Sequence, residues 1–316
     1  MFLSMASAQE CVDAALKSDC SDRATMVVAY AVLALGCYLL SIHSGIRGAV
    51  EGISQATAYF QRAWSELKDL AMDSATARAL QGILIMIIFA DKSGHSCKSR
   101  LITMGVQCMQ DLGLHTSRRL RQICTGSGDV RMLKNAFWIL YAIEKADAIY
   151  TGRSSVRQIM YDKVTDHAPS DVLQHPDEAR LTLQCLYGRL CDRVVDSLYS
   201  QTALRTTRAD MRRQIEDTYC LLQSWLGIFQ TYNNALNSSP TGRSSCFGEQ
   251  VETETHFSSY FLTFLIHGKW LHLAQQGLDP EEREAYERSE ARCLAAARSV
   301  LEHCSQQTHA QMLSNM

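Results

Sequence analysis

Proline scarcity is the feature that most constrains how this chain can fold. The 316 residues include only four prolines, and none of them precedes Pro169. Because proline interrupts helices more strongly than any other residue, most of the chain is free to form long helices. Apolar residues recur along it at three- and four-residue steps, and no convincing strand pattern appears. The sequence therefore predicts an all-α fold, an array of about eight or nine helices packed as antiparallel hairpins.

Stripes of apolar residues mark the predicted helices: Arg23–His43, Ala49–Met72, Ser74–Ala90, Cys97–Leu112, Val130–Tyr150, Asp177–Gln201, Ala209–Tyr232, Thr253–Gly277 and a last helix from Pro280. Gly113 stands where a glycine commonly follows the end of a helix. Asp279, directly before Pro280, is expected to cap the start of the last helix through its side chain.

The predicted helices lie between two short ends. We expect an N-terminal tail over residues 1–22, one large helical domain over 23–305 and a C-terminal tail over 306–316. Within the domain, residues 154–176 and 233–252 are rich in polar residues, proline and glycine, which is typical of irregular loops. A chain of this length can also hold two smaller domains.

The bulk composition is that of an ordinary protein with a sizeable core. Hydrophobic residues make up 47% of the chain and charged residues 20%. The formal net charge of −2 argues against an extended phosphate-binding surface. Met26–Ile42 carries no charge, and we interpret it as a buried core helix rather than a membrane span. The first ten residues lack the pattern of a secretory signal.

The cysteines and histidines do not form a familiar reactive or metal-binding motif. None of the twelve cysteines forms a C-x-x-C pair, and we expect most of them to be small buried residues in a reducing compartment. His267 and His272 are five residues apart, which places them on different helix faces. His95 and Cys97 share a short polar loop that needs no catalytic explanation.

The search for common enzyme motifs is negative. The sequence contains no nucleophile elbow, no P-loop, no dinucleotide-binding glycine motif and no H-E-x-x-H helix. The carboxylates of Glu144 and Asp147 are three residues apart, but we interpret them as charges on a solvated helix face. The sequence therefore predicts no catalytic, cofactor-binding or metal-binding residues, and a protein that is not an enzyme.

One dense basic cluster stands out between two predicted helices. Arg118, Arg119 and Arg121 could contact phosphate or form part of a nuclear-import signal. Aromatic residues do not interleave with them, and a helix-turn-helix setting is lacking. We interpret the cluster as a solvated connection, with the import patch as the functional alternative.

The order of several segments resembles a known family. The sequence MGVQCMQDLGLH at Met104–His115 is followed by a basic stretch and then by Phe137-Trp138, Tyr141, Glu144 and Gly152-Arg153. This order resembles the fungal-specific transcription factor domain, the middle homology region of fungal zinc-cluster regulators. Later segments that are similar to the family lie at Leu186–Tyr199, Ile215–Trp225, Phe257–Leu273 and Cys293–Ser299.

The resemblance implies a nuclear transcription regulator that controls a biosynthetic or metabolic gene set. The six-cysteine zinc cluster of the family has no counterpart in this sequence, so we expect little sequence-specific DNA binding by this chain alone. Other regulators or a second copy are the expected protein partners, and a small molecule is a further candidate effector. The alternatives are a truncated module that modulates a full-length regulator and, more distantly, an all-α enzyme of unknown reaction.

An effector pocket, if the chain has one, is predicted beside Trp138, Tyr141 and Arg153. There a helix with bulky aromatic residues meets the irregular segment that follows it. The alternative is that both aromatic residues belong to the core and that Arg153 is a charge at a helix end.

Overall fold

A computed structural model of the chain describes residues 2–17, 22–42, 46–70, 75–114, 116–123, 126–153, 176–238, 246–273 and 277–314. In these ranges all regular structure is helical, which confirms the predicted all-α class. The helices are α1 (Met5–Leu16), α2 (Arg23–Ile42), α3 (Ile46–Leu70), α4 (Ala77–Ser93), α5 (Lys98–Asp111), α6 (Ser117–Ile123), α7 (Ser127–Thr151), α8 (Pro176–Val194), α9 (Arg208–Ser238), α10 (Cys246–Leu273) and α11 (Pro280–Ser314). The chain divides into two compact units, Met1–Asp171 and Val172–Met316.

The first unit is organised around α4, which is apolar on nearly all sides. Its buried residues run almost without interruption from Ala79 to Ala90. Helices α2, α3, α5 and α7 pack against it, and α2 also contacts α1 and α3. Helix α2 is buried mainly between Ala24 and Ala34, whereas Leu40 and Ile42 near its end are exposed, so the prediction of a core helix holds for only part of its length. The same arrangement places α7 directly against the core of the unit.

Glycines let several of these helices approach closely. A Cβ added at Gly52 of α3 would lie 2.6 Å from the Cβ of Ser41, and one added at Gly82 of α4 would lie 2.7 Å from Cγ1 of Val27. Both distances are far below van der Waals contact, so a larger residue would force the helices apart. The small side chain is therefore what allows α2 to pack so tightly against its two neighbours.

The predicted helix ends are confirmed at two places. Gly113 has a φ of +66°, and the N–H groups of Gly113 and Leu114 donate to the carbonyls of Gln110 and Met109, which closes α5 in a Schellman motif. At the start of α11, the carboxylate of Asp279 accepts from the N–H of Glu282, whose carboxylate accepts from the N–H of Asp279 in turn.

The second unit contains long helices joined by specific polar contacts. After α8 the chain forms one π-helical segment, Val195–Tyr199, and a 3-10 turn, Ala203–Arg205. The indole N–H of Trp225 donates to the carbonyl of Leu183 at 3.0 Å and ties α9 to α8. Helix α10 packs against α8, α9 and α11.

Some predicted boundaries differ from the structure. The predicted N-terminal tail contains α1, because Ala8 and Cys11 form an apolar face that packs on α2. The segment after Gly113, which is predicted to be a solvated connection, contains the short helix α6, and Leu120 of this helix is buried. Helices α9, α10 and α11 extend into the predicted loop at 233–252 and into the predicted C-terminal tail. Residues 154–175 of the other predicted loop lie outside the described residues.

Candidate regulatory site in the first unit

The two predicted pocket aromatics lie in the core of the first unit. Trp138 and Tyr141 of α7 are 5% and 1% exposed. Their ring centroids are 5.6 Å apart in an edge-to-face arrangement, and Phe137 packs against Trp138 in the same way at 5.3 Å. Such pairs favour one relative orientation of the rings because the ring edge is positive and the ring face negative. The three rings therefore form one closely packed cluster on α7.

A buried ion pair follows the aromatic cluster on the same helix. Glu144 and Lys145 are 5% and 3% exposed, and the Lys145 Nζ lies 3.7 Å from a carboxylate oxygen of Glu144. The same Nζ lies 5.6 Å from the ring centroid of Tyr141. The expectation that Glu144 lies on a solvated face is wrong, because α7 packs against both α4 and α5. Buried charges are costly unless they are paired, which makes this pair unusual among helical charges.

The periodicity of α7 contains a signal that points to this burial. Glu144 is three residues after Tyr141 and four before the buried Ala148, so it occupies a position of the apolar stripe. Lys145 is four residues after Tyr141. Residue type alone suggested a surface pair, whereas the position along the stripe would have predicted burial.

Asp147 links the end of α7 to the start of α5. Its carboxylate accepts from the Ser99 hydroxyl at 3.1 Å and lies 3.9 Å from the Lys98 Nζ, which also contacts Asp91 at 2.6 Å. Nearby, burial raises the pKa of the Cys97 thiol above its usual value. A raised pKa keeps the thiol protonated at neutral pH, which does not suit a nucleophile.

Arg153 is not brought beside the aromatic pair. It follows Gly152, whose φ of +67° ends α7, and its side chain is exposed. Ten residues, or about 15 Å of helix, separate Tyr141 from the last residue of α7. The structure therefore places Trp138 and Tyr141 together and Arg153 elsewhere, while a pocket beside them stays a prediction.

A cavity of about 620 Å³ opens elsewhere in the first unit, where three helix ends meet. It lies at the start of α4, the end of α5 and the outer face of α6, and its lining residues are Ala75, Thr76, Ala77, Asp111, Leu112, Arg119 and Ile123. Its volume falls within the range of about 300–1,000 Å³ typical of small-molecule sites. Sequence reasoning missed this cavity because its walls come from three separate segments.

Arg119 connects the cavity to the predicted basic cluster. A Cβ added at Gly113 would lie 2.7 Å from the Arg119 Cγ, so the arginine stem lies directly over this glycine. Arg119 is exposed, and α6 carries it to the cavity rim. The side chains of Arg118 and Arg121 lie outside the described residues, and the import patch stays a prediction.

Two further features concern membrane and metal binding. Helix α2 is long and apolar enough to cross a membrane by length and composition, with a mean hydropathy of 2.1. Core helices pass the same test, and α2 packs against three helices of its own unit. Among the described residues, no group of three or more His, Cys, Asp or Glu side chains could hold a metal ion.

The chain belongs to a family of fungal regulators. The model of the fungal-specific transcription factor domain matches residues 12–173, just over half of the chain. This region nearly coincides with the first unit and includes α7 and the cavity.

Curated relatives extend the similarity beyond this region. A fumonisin cluster-specific transcription factor of Gibberella moniliformis is 23% identical over 309 residues, which covers 93% of this chain and 45% of that protein. An AAl-toxin cluster-specific transcription factor of Alternaria alternata is 28% identical over 38% of the chain and 19% of its own length. A terrein cluster-specific transcription factor of Aspergillus terreus is 22% identical over 85% of the chain and 41% of its length.

The chain thus spans less than half the length of these relatives. No solved structure matches the chain.

Proposed function

We propose that the chain acts in the nucleus as a transcription regulator of a biosynthetic gene cluster, without catalysing a reaction. The observation that carries this proposal is the family match over residues 12–173, combined with similarity to three factors whose names state cluster-specific regulation. In this proposal the first unit receives the regulatory signal.

Two features of the first unit support a role in signal reception. Its core holds the buried pair of Glu144 and Lys145 beside Tyr141, a polar arrangement that apolar packing alone does not require. Its surface holds the cavity, whose lining combines the charged side chains of Asp111 and Arg119 with apolar residues near the ends of α4, α5 and α6. Sites that bind small molecules typically combine apolar lining residues with a small number of polar groups that point toward the same space.

Gene deletion followed by transcript sequencing in the native organism tests the regulatory role. We expect transcripts of one contiguous set of biosynthetic genes to change together and to recover when the gene is restored. Unchanged transcripts under conditions in which the protein is present would contradict the proposal.

A pair of variants then tests the cavity. Restoring the gene with Arg119→Gln should impair recovery of these transcripts, whereas Arg131→Gln should restore them fully. Arg131 is an exposed arginine of α7 that does not line the cavity, so it controls for the loss of one positive charge. Equal recovery with both variants would exclude the cavity from the regulatory signal.

We also propose that the chain works with a protein partner, either another regulator or a second copy. Duplex DNA should bind only weakly, since the net charge of −2 argues against an extended phosphate-binding surface, and added salt should weaken this binding further. Light scattering measures whether two copies of the chain associate, and co-purification from native extract tests for another regulator. Fluorescence anisotropy at two salt concentrations measures the DNA affinity. Tight, sequence-selective binding by the isolated chain would contradict the DNA part.

A further inference from the structure

A groove of about 340 Å³ lies between α9 and α11 in the second unit, outside the region that the family model matches. The helices contribute two alanines and four charged side chains to its walls: Ala209, Arg212, Arg213 and Glu216 from α9, and Ala285 and Arg288 from α11. The alanines leave space between the helices, and three of the four charges are positive.

The single carboxylate of the groove is already neutralised. The Arg292 Nη1 lies 3.0 Å and 3.1 Å from the two carboxylate oxygens of Glu216. The guanidinium of Arg292 also lies 4.1 Å from the ring centroid of Tyr219, a cation–π contact that restrains its orientation. Arg292 thus compensates Glu216, and the three arginines of the groove lining contact carboxylates that lie outside the lining.

Arg292 also contacts a buried histidine, His267. His267 is fully buried, its Nδ1 lies 3.1 Å from the Ser289 hydroxyl, and its Nε2 lies 3.4 Å from the Arg292 Nη1. Burial, together with the positive charge of Arg292, lowers the pKa of His267 to about 4. The neutral ring can accept a hydrogen bond from Arg292 without adding a competing charge. This network holds the Glu216 side of the groove in one arrangement.

Among the described residues, the carboxylates that contact the three groove arginines are all at least half exposed. Each guanidinium contacts a carboxylate of its own or the neighbouring helix, at 2.9 Å for Arg212–Glu281, 3.8 Å for Arg213–Asp210 and 3.3 Å for Arg288–Glu284. These carboxylate side chains are 78%, 50% and 76% exposed. Water screens such surface pairs and they contribute little, so an anion can replace the carboxylates at low cost.

We propose that this groove binds a compact polyanion that carries two or more charges on phosphate or carboxylate oxygens. Its oxygens would accept hydrogen bonds from Arg212, Arg213 and Arg288. A planar guanidinium group can donate two parallel hydrogen bonds to a phosphate or to a carboxylate group. The groove volume is near the lower end of the range for small-molecule sites, which favours a small ligand. This site is independent of the proposed role in transcription.

Isothermal titration calorimetry of the full chain tests the site with citrate, pyrophosphate and inorganic phosphate at constant ionic strength. We expect one saturable site, and the ranking of the probes separates a carboxylate ligand from a phosphate ligand. The double variant Arg212→Gln/Arg288→Gln should weaken binding by about tenfold or more, because it removes two charge-assisted donors. Circular dichroism should show unchanged helix content, since both side chains are partly exposed.

The matched control is the double variant Arg283→Gln/Arg298→Gln. Both residues are exposed on α11 and lie outside the groove lining, so this variant removes the same total charge without changing the groove. It should keep the wild-type affinity within about twofold, as expected for screened surface charges. Equal weakening of binding by both double variants would overturn the proposal. So would the absence of binding of every probe at about 10 mM, which is of order a hundred times a dissociation constant of 0.1 mM. Arginine-dependent binding of duplex DNA that the small anions fail to displace would also overturn it, in favour of a nucleic-acid surface.

Discussion

Helix α4 of the first unit and helix α10 of the second unit each pack against several neighbours, but their buried residues differ in chemistry. The buried residues of α4 are apolar apart from Gln81. Those of α10 include a histidine and three hydroxyl residues: Thr255, Ser259, Thr263 and His267. The hydroxyls donate to carbonyls of their own helix, and His267 contacts Ser289 of α11.

Two pairs of helical glycines also differ between the units. Gly52 and Gly82 lie where helices of the first unit touch, whereas Gly227 and Gly268 of the second unit, like Gly36 of α2, have no atom within 4 Å of an added Cβ. The first unit thus depends on close apolar packing, which shape changes disrupt. Around α10 the second unit depends more on hydrogen bonds of buried polar residues, which pH changes disrupt, whereas the first unit also contains the buried ion pair of Glu144 and Lys145.

The four tryptophans allow the two units to be followed separately. Trp64 and Trp138 lie in the first unit, and Trp225 and Trp270 lie in the second. Fluorine NMR of protein labelled with 5-fluorotryptophan should therefore report urea unfolding of each unit through its own pair of signals.

The largest expected effect concerns the buried pair of the first unit. Lys145→Ala should reduce the free energy of unfolding by about 3–5 kcal/mol, because it removes a buried positive charge that lies 3.7 Å from the buried Glu144 carboxylate. The double variant Lys145→Met/Glu144→Gln should recover most of this loss, since neither member of the pair then carries a charge. Urea unfolding followed by the Trp64 and Trp138 signals measures both. If the single variant reduces the free energy of unfolding by less than about 1 kcal/mol, the pair contributes no more than a solvent-exposed ion pair, which would contradict this prediction.

Acidification should destabilise the second unit through His267. Its folded pKa of about 4 lies below the ordinary 6.5, so the unfolded chain binds a proton first as the pH falls. Stability from this residue is constant above about pH 6.5 and is lost between 6.5 and about 4, by up to about 3 kcal/mol. Unfolding measured across this range through the Trp225 and Trp270 signals should show the slope, and His267→Gln should flatten it. An unchanged slope in the variant would assign the acid sensitivity to other groups.

Steric change at a helix contact should have the next largest effect. Gly52→Ala places a Cβ 2.6 Å from the Cβ of Ser41, so α2 and α3 must separate. We expect a loss of about 1–3 kcal/mol in the first unit, read from its tryptophan signals, with the second unit unchanged. Equal or higher stability would mean that this contact relaxes without cost.

The smallest expected effect is a gain in the second unit. Gly227→Ala adds a methyl group in open space within α9, so it should stabilise the unit by about 0.5–1 kcal/mol through higher helix propensity. The midpoint of the Trp225 and Trp270 transition should therefore rise. A fall of that midpoint would contradict the contrast between the glycines of the two units.

Local signals in the sequence determined much of the fold. The near absence of proline and the three- and four-residue stripes predicted the all-α class, and Gly113 and Asp279 predicted two helix ends that the structure confirms. These features act within a few residues of the chain, where backbone geometry and side-chain hydrogen bonds determine the outcome. The ordered motifs around α7 also indicated the family that the comparison then showed.

Burial and the composition of the candidate sites were decided by tertiary packing. Glu144 and Lys145 are buried on a helix that packs against α4, α5 and α6, and Arg153 lies apart from Tyr141 because α7 continues between them. The cavity at Arg119 and the arginine groove between α9 and α11 each join segments that are distant in the sequence. Periodicity predicts which face of a helix is buried, but the neighbouring helix that covers it is determined only when the whole chain packs.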